Sequence, residues 1–186
     1  MERRKDAYLA LEFYTQDYDD KENLKLLTTF EEKSDIVSQQ NIPMDRIRKQ
    51  ATDLKMDLIE VPLPRDCPND RYLSNIEKNL KKQENTIKRL VFGDWHLEDI
   101  REWREEHFEE MGYECIFPIW EKSLHDLLPV LLLKPVKVKI TAVKEEYQHL
   151  LKVGELYTQG LVQTLPESID PMGENGSSTQ RLFLKT

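Results

Sequence analysis

Cysteine is scarce in this chain: Cys67 and Cys115 are the only two. They stand far apart and form no metal-type spacing. Neither a disulfide framework nor a zinc site is therefore implied, and a reducing compartment is the simpler setting. Glycine is also sparse, at six residues. No G-x-G-x-x-G and no G-x-x-x-x-G-K occurs, which excludes the usual dinucleotide fingerprint and the Walker phosphate loop. The histidines, His96, His107, His125 and His149, have no H-E-x-x-H or equivalent spacing, and no G-x-S-x-G elbow exists. The greasiest stretch, LLPVLLLKPV, is well short of the roughly 18 apolar residues of a membrane span. The start lacks an apolar signal core. The expectation is a cytoplasmic protein with no membrane partner. Excess basic charge is absent too: 27 Lys and Arg face 35 Asp and Glu, for a net charge of −8. That balance argues against nucleic acid as a partner and leaves room for a small basic pocket holding a phosphate.

What the chain does have is length for a sizeable core, at 186 residues, and an alternation of strand-like and helix-like patterns. A helical run from Ala7 to Phe13 opens the chain directly after Arg3-Arg4-Lys5-Asp6, with no strand before it. Leu24 to Phe30 reads as a strand. Pro43 opens a helix through Met44, Ile47, Ala51 and Leu54. Leu58 to Val61 reads as a strand closed by Pro62, and Leu73, Ile76 and Leu80 mark another helix. Leu90 to Phe92 is a short apolar run ending at Gly93-Asp94. In the following helix Leu97, Ile100, Trp103, Phe108 and Met111 share a face about 140° wide, with Gly112 placed to end it and Arg101 and Arg104 on the wet side. Cys115 to Phe117 is another apolar run, stopped by Pro118. Ser123 caps a helix that Pro129 should kink or end. Val136 to Val143 alternates as a strand with one wet face, and a last helix is expected around Glu145 to Leu151. The tail from Glu167 to Thr186 reads as loop.

This rhythm predicts an α/β fold with a mostly parallel sheet and helices on both faces. A nucleotide-binding domain is expected over 1–143 and a C-terminal substrate-side segment over 144–186. Ligands of such sheets bind beyond the carboxyl ends of the strands. The candidate positions are Thr28-Thr29-Phe30, Pro62-Leu63-Pro64, Gly93-Asp94 and Pro118-Ile119-Trp120. A strand ending in Gly-Asp lets a ligand approach the backbone and sets a carboxylate at the rim, where Mg²⁺ on a nucleotide could meet it. The plainer alternative is a turn with Asp94 bonded to its own backbone. For Arg101 the plainer alternative is a helical pair with Glu105. The DPMGENG loop offers backbone N–H groups and a carboxylate, or is simply a linker.

Taken in order, LLTTF, IPMDRIRKQATDLKMDLIEVPLP, VFGDWHLEDIREWRE, GYECIFPIW and LPESIDPMGENG resemble the diphthine–ammonia ligase family. These are ATP-pyrophosphatases of the adenine nucleotide alpha hydrolase superfamily. The likeness runs from about Lys5 to Gly176. It is strongest over Phe92 to Trp120 and Leu165 to Gly176, and looser between Pro64 and Lys88. It implies a Rossmann-like three-layer sandwich. Family members begin with a strand and a Ser-Gly-Gly-Lys-Asp-Ser loop that cradles pyrophosphate. Here Lys5 and Asp6 match, while Glu2, Arg3, Arg4 and Ala7 replace the serines and glycines, and the first strand has no counterpart. After Gly176 the chain also departs from the pattern, so both ends read as truncated or replaced.

The resemblance implies ATP and Mg²⁺ as cofactors. It implies carboxylate adenylation followed by amidation, the carboxylate in family members being diphthine on an elongation factor. It implies catalytic roles for Lys5, Asp6 and Asp94, and nucleotide contacts from Thr28, Thr29, Phe30, Gly93 and Asp94. The acceptor pocket would be shaped by Glu98, Arg101, Trp103, Arg104 and Trp120 with Gly173, Glu174, Asn175 and Gly176. Two alternatives stand beside the ligase: a nucleotide-binding or scaffolding module without catalysis, suggested by the altered loop, and an adenine nucleotide hydrolase.

Overall fold

The computed structural model describes residues 4–19, 21–38, 41–83, 87–133, 136–166, 168–172 and 178–184. The fold is mixed α/β. In chain order the elements are helix α1 (Arg4–Asp17), strands β1 (Lys25–Glu31), β2 (Ile36–Val37) and β3 (Ile42–Pro43), helix α2 (Met44–Leu54) and strand β4 (Asp57–Leu63). Then come α3 (Asn69–Lys81), β5 (Arg89–Val91), α4 (Glu98–Glu110), β6 (Glu114–Ile116), α5 (Leu124–Leu133), β7 (Val136–Val143), α6 (Gln159–Thr164) and β8 (Ser178–Leu184).

The principal sheet has the order β3-β2-β1-β4. It is mostly parallel: β1 runs parallel to β4 from Lys25↔Asp57 to Glu31↔Leu63, and the short antiparallel β2 joins β1 only at Glu31↔Ile36. β5 and β6 form a second parallel pair, and β7 and β8 an antiparallel one. Alternation along β4 buries Ile59, Val61 and Leu63, while Glu60 on the other side meets Arg48 of α2 at 2.7 Å. β4 continues through Pro62, where the sequence suggested a stop. The missing N–H costs nothing there because β4 is an edge strand with a free side for proline.

Two hydrophobic clusters flank β5. Val91 packs with Tyr8, Leu9 and Ala10 of α1 and with Leu127 and Leu131 of α5. Leu90 packs on the other side with Ile76 and Leu80 of α3 and Trp103 and Phe108 of α4. Helices thus cover both faces of this strand, as the alternation of strand-like and helix-like patterns led us to expect. Residues beyond 143 enter the first cluster through Leu151, Tyr157 and Met172.

Three expectations need correction. Of the two outcomes expected at Pro129, a kink or an end, the end is ruled out: α5 runs through Pro129 to Leu133, with Leu127 and Leu131 buried in the core. The helix foreseen at 145–151 is only a single tight turn, Glu145–Tyr147. Here the chain doubles back on β7: Gly154 N–H donates to the Ile140 carbonyl, Ile140 N–H to Glu155, and Tyr157 N–H to Val138. The tail read as loop contains β8, which pairs with β7, and α6 forms just before it. Thr158 caps α6, its hydroxyl accepting from Leu161 N–H at 3.2 Å. A threonine three residues before Leu161-Val162 was the available sign.

Candidate functional site

The first turn of α1 lies against the end of β5. The cause is Gly93. A Cβ at that position would stand 2.7 Å from the carbonyl carbon of Asp6 and 2.7 Å from the amide nitrogen of Ala7. Only a residue without a side chain lets the helix backbone come this close. The contact brings Lys5 and Asp6 beside Gly93-Asp94. Lys5 and Asp6 belong to the helix, not to a loop, and both are buried. Lys5 Nζ donates to Asp6 Oδ1 at 2.5 Å.

Asp94 is the second buried carboxylate. Its partner is Arg104, whose Nε lies 2.8 Å from Asp94 Oδ2, with side-chain exposures of 15 % and 7 % for Arg104 and Asp94. Arg104 therefore does not lie on the wet side of α4, as its place in the helical pattern suggested. It turns in because the carboxylate and the Phe92 ring draw it: its guanidinium carbon sits 4.4 Å from the ring centroid. The contact is an ion pair rather than a well-directed hydrogen bond, and Asp94 Oδ2 and Arg104 Nε have no hydrogen-bond partner among the described residues. Burial pushes the Asp94 carboxyl above its ordinary value, against the pull of Arg104.

Arg101 takes the place foreseen for it. Its Nε donates to Glu105 at 2.9 Å, and its guanidinium lies over Trp120 at 4.7 Å and Phe117 at 5.1 Å. The turn carrying Trp120 is tied to the segment after Asp94, since Trp95 Nε1 donates to the Lys122 carbonyl at 2.7 Å and Glu121 N–H to the Trp95 carbonyl.

A cavity of about 770 Å³ opens at these strand ends and runs inward between β1 and β5. Thr29, Phe30, Gly93, Asp94, Trp103 and Arg104 all line it. Thr28 is buried but is not part of the lining, although Leu26 and Phe30 on its side of the strand are. Glu98 is exposed on the first turn of α4 and is not in the lining. Arg101 and Trp120 form a stack of their own outside it. Gly173, Glu174, Asn175 and Gly176 lie outside the described residues. Reading the sequence missed Asp66, which lines the cavity with φ of 53°. Its signal was the Pro64-Arg65-Asp66 turn just after a strand, where aspartate tolerates positive φ.

Among the described residues, two buried ion pairs are found here, Lys5 with Asp6 and Arg104 with Asp94. Among the described residues no group of three or more His, Cys, Asp and Glu could hold a metal. A resident metal centre does not fit. One or two carboxylates do fit Mg²⁺ that arrives with phosphates and keeps its waters. Both cysteines are free, and burial pushes the Cys115 thiol up to about 11, which makes it a poor nucleophile. No described helix is long and apolar enough to cross a membrane. No protein-family model matches the chain, and a search of the curated proteins returns no match.

Proposed function

We propose that the chain is an ATP-dependent amide ligase of the diphthine–ammonia ligase type, built on a Rossmann-like sandwich and working in the cytoplasm. One observation carries this reading. Gly93 lets the first turn of α1, which carries the buried Lys5–Asp6 pair, rest on the end of β5, while Asp94 and its partner Arg104 line a cavity together with Thr29 and Phe30. Bound ATP supplies the activation of a carboxylate as its adenylate, with loss of pyrophosphate, and ammonia then displaces AMP to leave an amide.

The chain's own part is electrostatic. Lys5 and Arg104 would hold phosphate oxygens, and Asp6 and Asp94 would hold Mg²⁺ on the nucleotide. The unsatisfied Asp94 Oδ2 and Arg104 Nε are the atoms with most to gain. Thr29 and Phe30, which line the cavity, would border the base. The resemblance assigns the carboxylate acceptor, diphthine on an elongation factor in that family, to Glu98, Arg101, Trp103, Arg104 and Trp120 with Gly173 to Gly176; of these Trp103 and Arg104 line the cavity.

The test is acceptor-dependent ATP–pyrophosphate exchange. Exchange that Asp94→Asn lowers about a hundredfold supports the ligase. A second reading is a nucleotide-binding or scaffolding module without catalysis. The mutual burial of Lys5 and Asp6 favours it, because a paired lysine is not poised for phosphate. Nucleotide binding with no exchange selects that module, and AMP release without an acceptor selects a hydrolase.

A further inference from the structure

Arg101 and Arg104 stand three residues apart on α4, and each guanidinium lies over an aromatic ring. Arg104 sits over Phe92 at 4.4 Å, and Arg101 over Phe117 at 5.1 Å and Trp120 at 4.7 Å. The two phenylalanines are neighbours because β5 and β6 are. Val91 is in register with Ile116, and Phe92 N–H donates to the Ile116 carbonyl at 2.9 Å, so Phe92 and Phe117 follow side by side. Their rings stack at 5.4 Å and 26°. Phe108 backs Phe92 at 5.6 Å and is fully buried, which steadies the floor under Arg104. Trp120 closes the row, edge-on to Phe117 at 6.5 Å, with its backbone N–H donating to the Phe117 carbonyl.

The rings, more than the carboxylates, seat these two arginines. Arg48 shows the other way of holding a guanidinium: it is bonded twice to Asp35 and twice to Glu60. Among the described residues neither Arg101 nor Arg104 makes such a fork. Asp94 draws Arg104 as an ion pair, yet Arg104 Nε has no hydrogen-bond partner. Glu105 takes only the Nε of Arg101. A charge pair without a directed bond fixes a distance and leaves the guanidinium free to turn. A ring beneath it limits that turning and leaves N–H groups for an oxyanion. The rings also touch each other, so the two seats are not independent. A cation that leaves Phe92 changes the packing of the ring against which Phe117, and then Arg101, rests.

We propose that Phe92 and Phe117 are positioning residues that seat Arg104 and Arg101 as one coupled unit. A phosphate oxyanion taken by Arg104 at the cavity then changes how Arg101 is held beside Trp120. Phe92 and Arg104 line the cavity, whereas Arg101, Phe117 and Trp120 lie outside its lining. The row of rings therefore leads from the cavity to the half-buried Arg101. The oxyanion part rests on the function proposed above; the coupling of the two arginines does not.

The first experiment uses the whole chain and no ligand. Nitrogen-15 spectra follow the Arg101 Nε–H resonance, assigned by its loss in Arg101→Lys. In an Asp94→Asn chain, where no carboxylate is stranded, Arg104→Met should move that resonance. With Phe117→Leu added, the same change should move it by less than roughly a third as much. No movement on Arg104→Met overturns the coupling. So does a movement that Phe117→Leu leaves intact, which assigns it to the helix or to the tether from Trp95 to Lys122. The second experiment measures binding of magnesium pyrophosphate by calorimetry. Phe92→Leu keeps an apolar side chain without the ring and should weaken binding about tenfold. Phe92→Tyr keeps the ring and should bind within about twofold of the parent. Equal binding by Phe92→Leu and the parent overturns the positioning role. Equal loss in both variants overturns it too, since packing alone then explains Phe92. A parent chain that binds no pyrophosphate overturns the function proposed above, and the spectra then decide the coupling by themselves.

Discussion

At the scale of single residues, Gly93 and Arg104 have the largest consequences. A methyl group at Gly93 meets helix backbone rather than a flexible side chain, so α1 has to move. Gly93→Ala is expected to lower stability by about 1–3 kcal/mol, measured by urea denaturation. It should also weaken nucleotide binding, measured by calorimetry well below the melting transition, because it parts Lys5 and Asp6 from Asp94. An unchanged urea midpoint would show that α1 does not rest on this glycine. Arg104 supports a carboxylate that burial already strains. The Asp94 pKa is raised on folding, so the stability linked to it is full below the ordinary carboxylate range and is lost as pH rises through the raised value. Removing Arg104 takes away the main influence holding that value down and moves the loss to higher pH. Arg104→Met should therefore cost roughly 3 kcal/mol at pH 7. The cost should shrink as pH falls toward the ordinary value of 3.8, and adding Asp94→Asn should restore most of it. A cost that is flat with pH would mean that packing on Phe92, not the charge pair, is what Arg104 supplies.

At the scale of elements, helix ends are where local chemistry can be separated from packing. α4 is followed by Gly112 at φ of 86°, with nothing within 4 Å of where its Cβ would be. α2 ends on Lys55 at φ of 57°, a left-handed residue with a side chain. The two positions make opposite predictions. Gly112→Ala should destabilise by about 1–2 kcal/mol, and Lys55→Gly should stabilise by a similar amount or somewhat less. Thermal melts of the pair against the parent check both signs. Failure of Lys55→Gly to raise the melting temperature would show that its stem packs usefully on α2. The helices and strands that reading the sequence located best are those whose burial repeats cleanly. α2, α3 and α4 start and stop within a few residues of expectation, as do β1, β4, β5, β6 and β7. The misses came where a neighbour outbid local pattern. β7 captured β8 from a tail that reads as loop, and the buried leucines of α5 carried the helix past Pro129, where the pattern allowed a kink or an end.

At the scale of the whole molecule, the gap between β1 and β5 divides the parallel strands into two pairs. It leaves a specific mark on dynamics. Along Lys25 to Phe30, the alternate amides bonded to β4 should exchange slowly, and the amides facing the cavity should exchange at least roughly tenfold faster. Hydrogen exchange read residue by residue checks this, and uniform protection along β1 would mean that the gap is closed. The same geometry explains how much of the site could be read in advance. Gly93-Asp94 was visible as a glycine and a carboxylate at the end of an apolar run. Arg104 was visible only as a charged position on a helix, because its inward turn is set by Phe92 and Asp94 on another element.

Hydrophobic period and proline and glycine positions, all legible along the chain, determined the α/β alternation and the strand ends near Phe30 and Phe92. These follow from local backbone sterics and from which face of each element must leave water. The pairing of Lys5 with Asp6 and of Arg104 with Asp94, the stacking of Arg101 on Trp120 and the open slot beside β1 were decided only in three dimensions. Apart from the contact between the neighbours Lys5 and Asp6, each depends on the distance between segments separated along the chain. That distance is set by how closely α1 can approach Gly93 and by which strand edges find a partner.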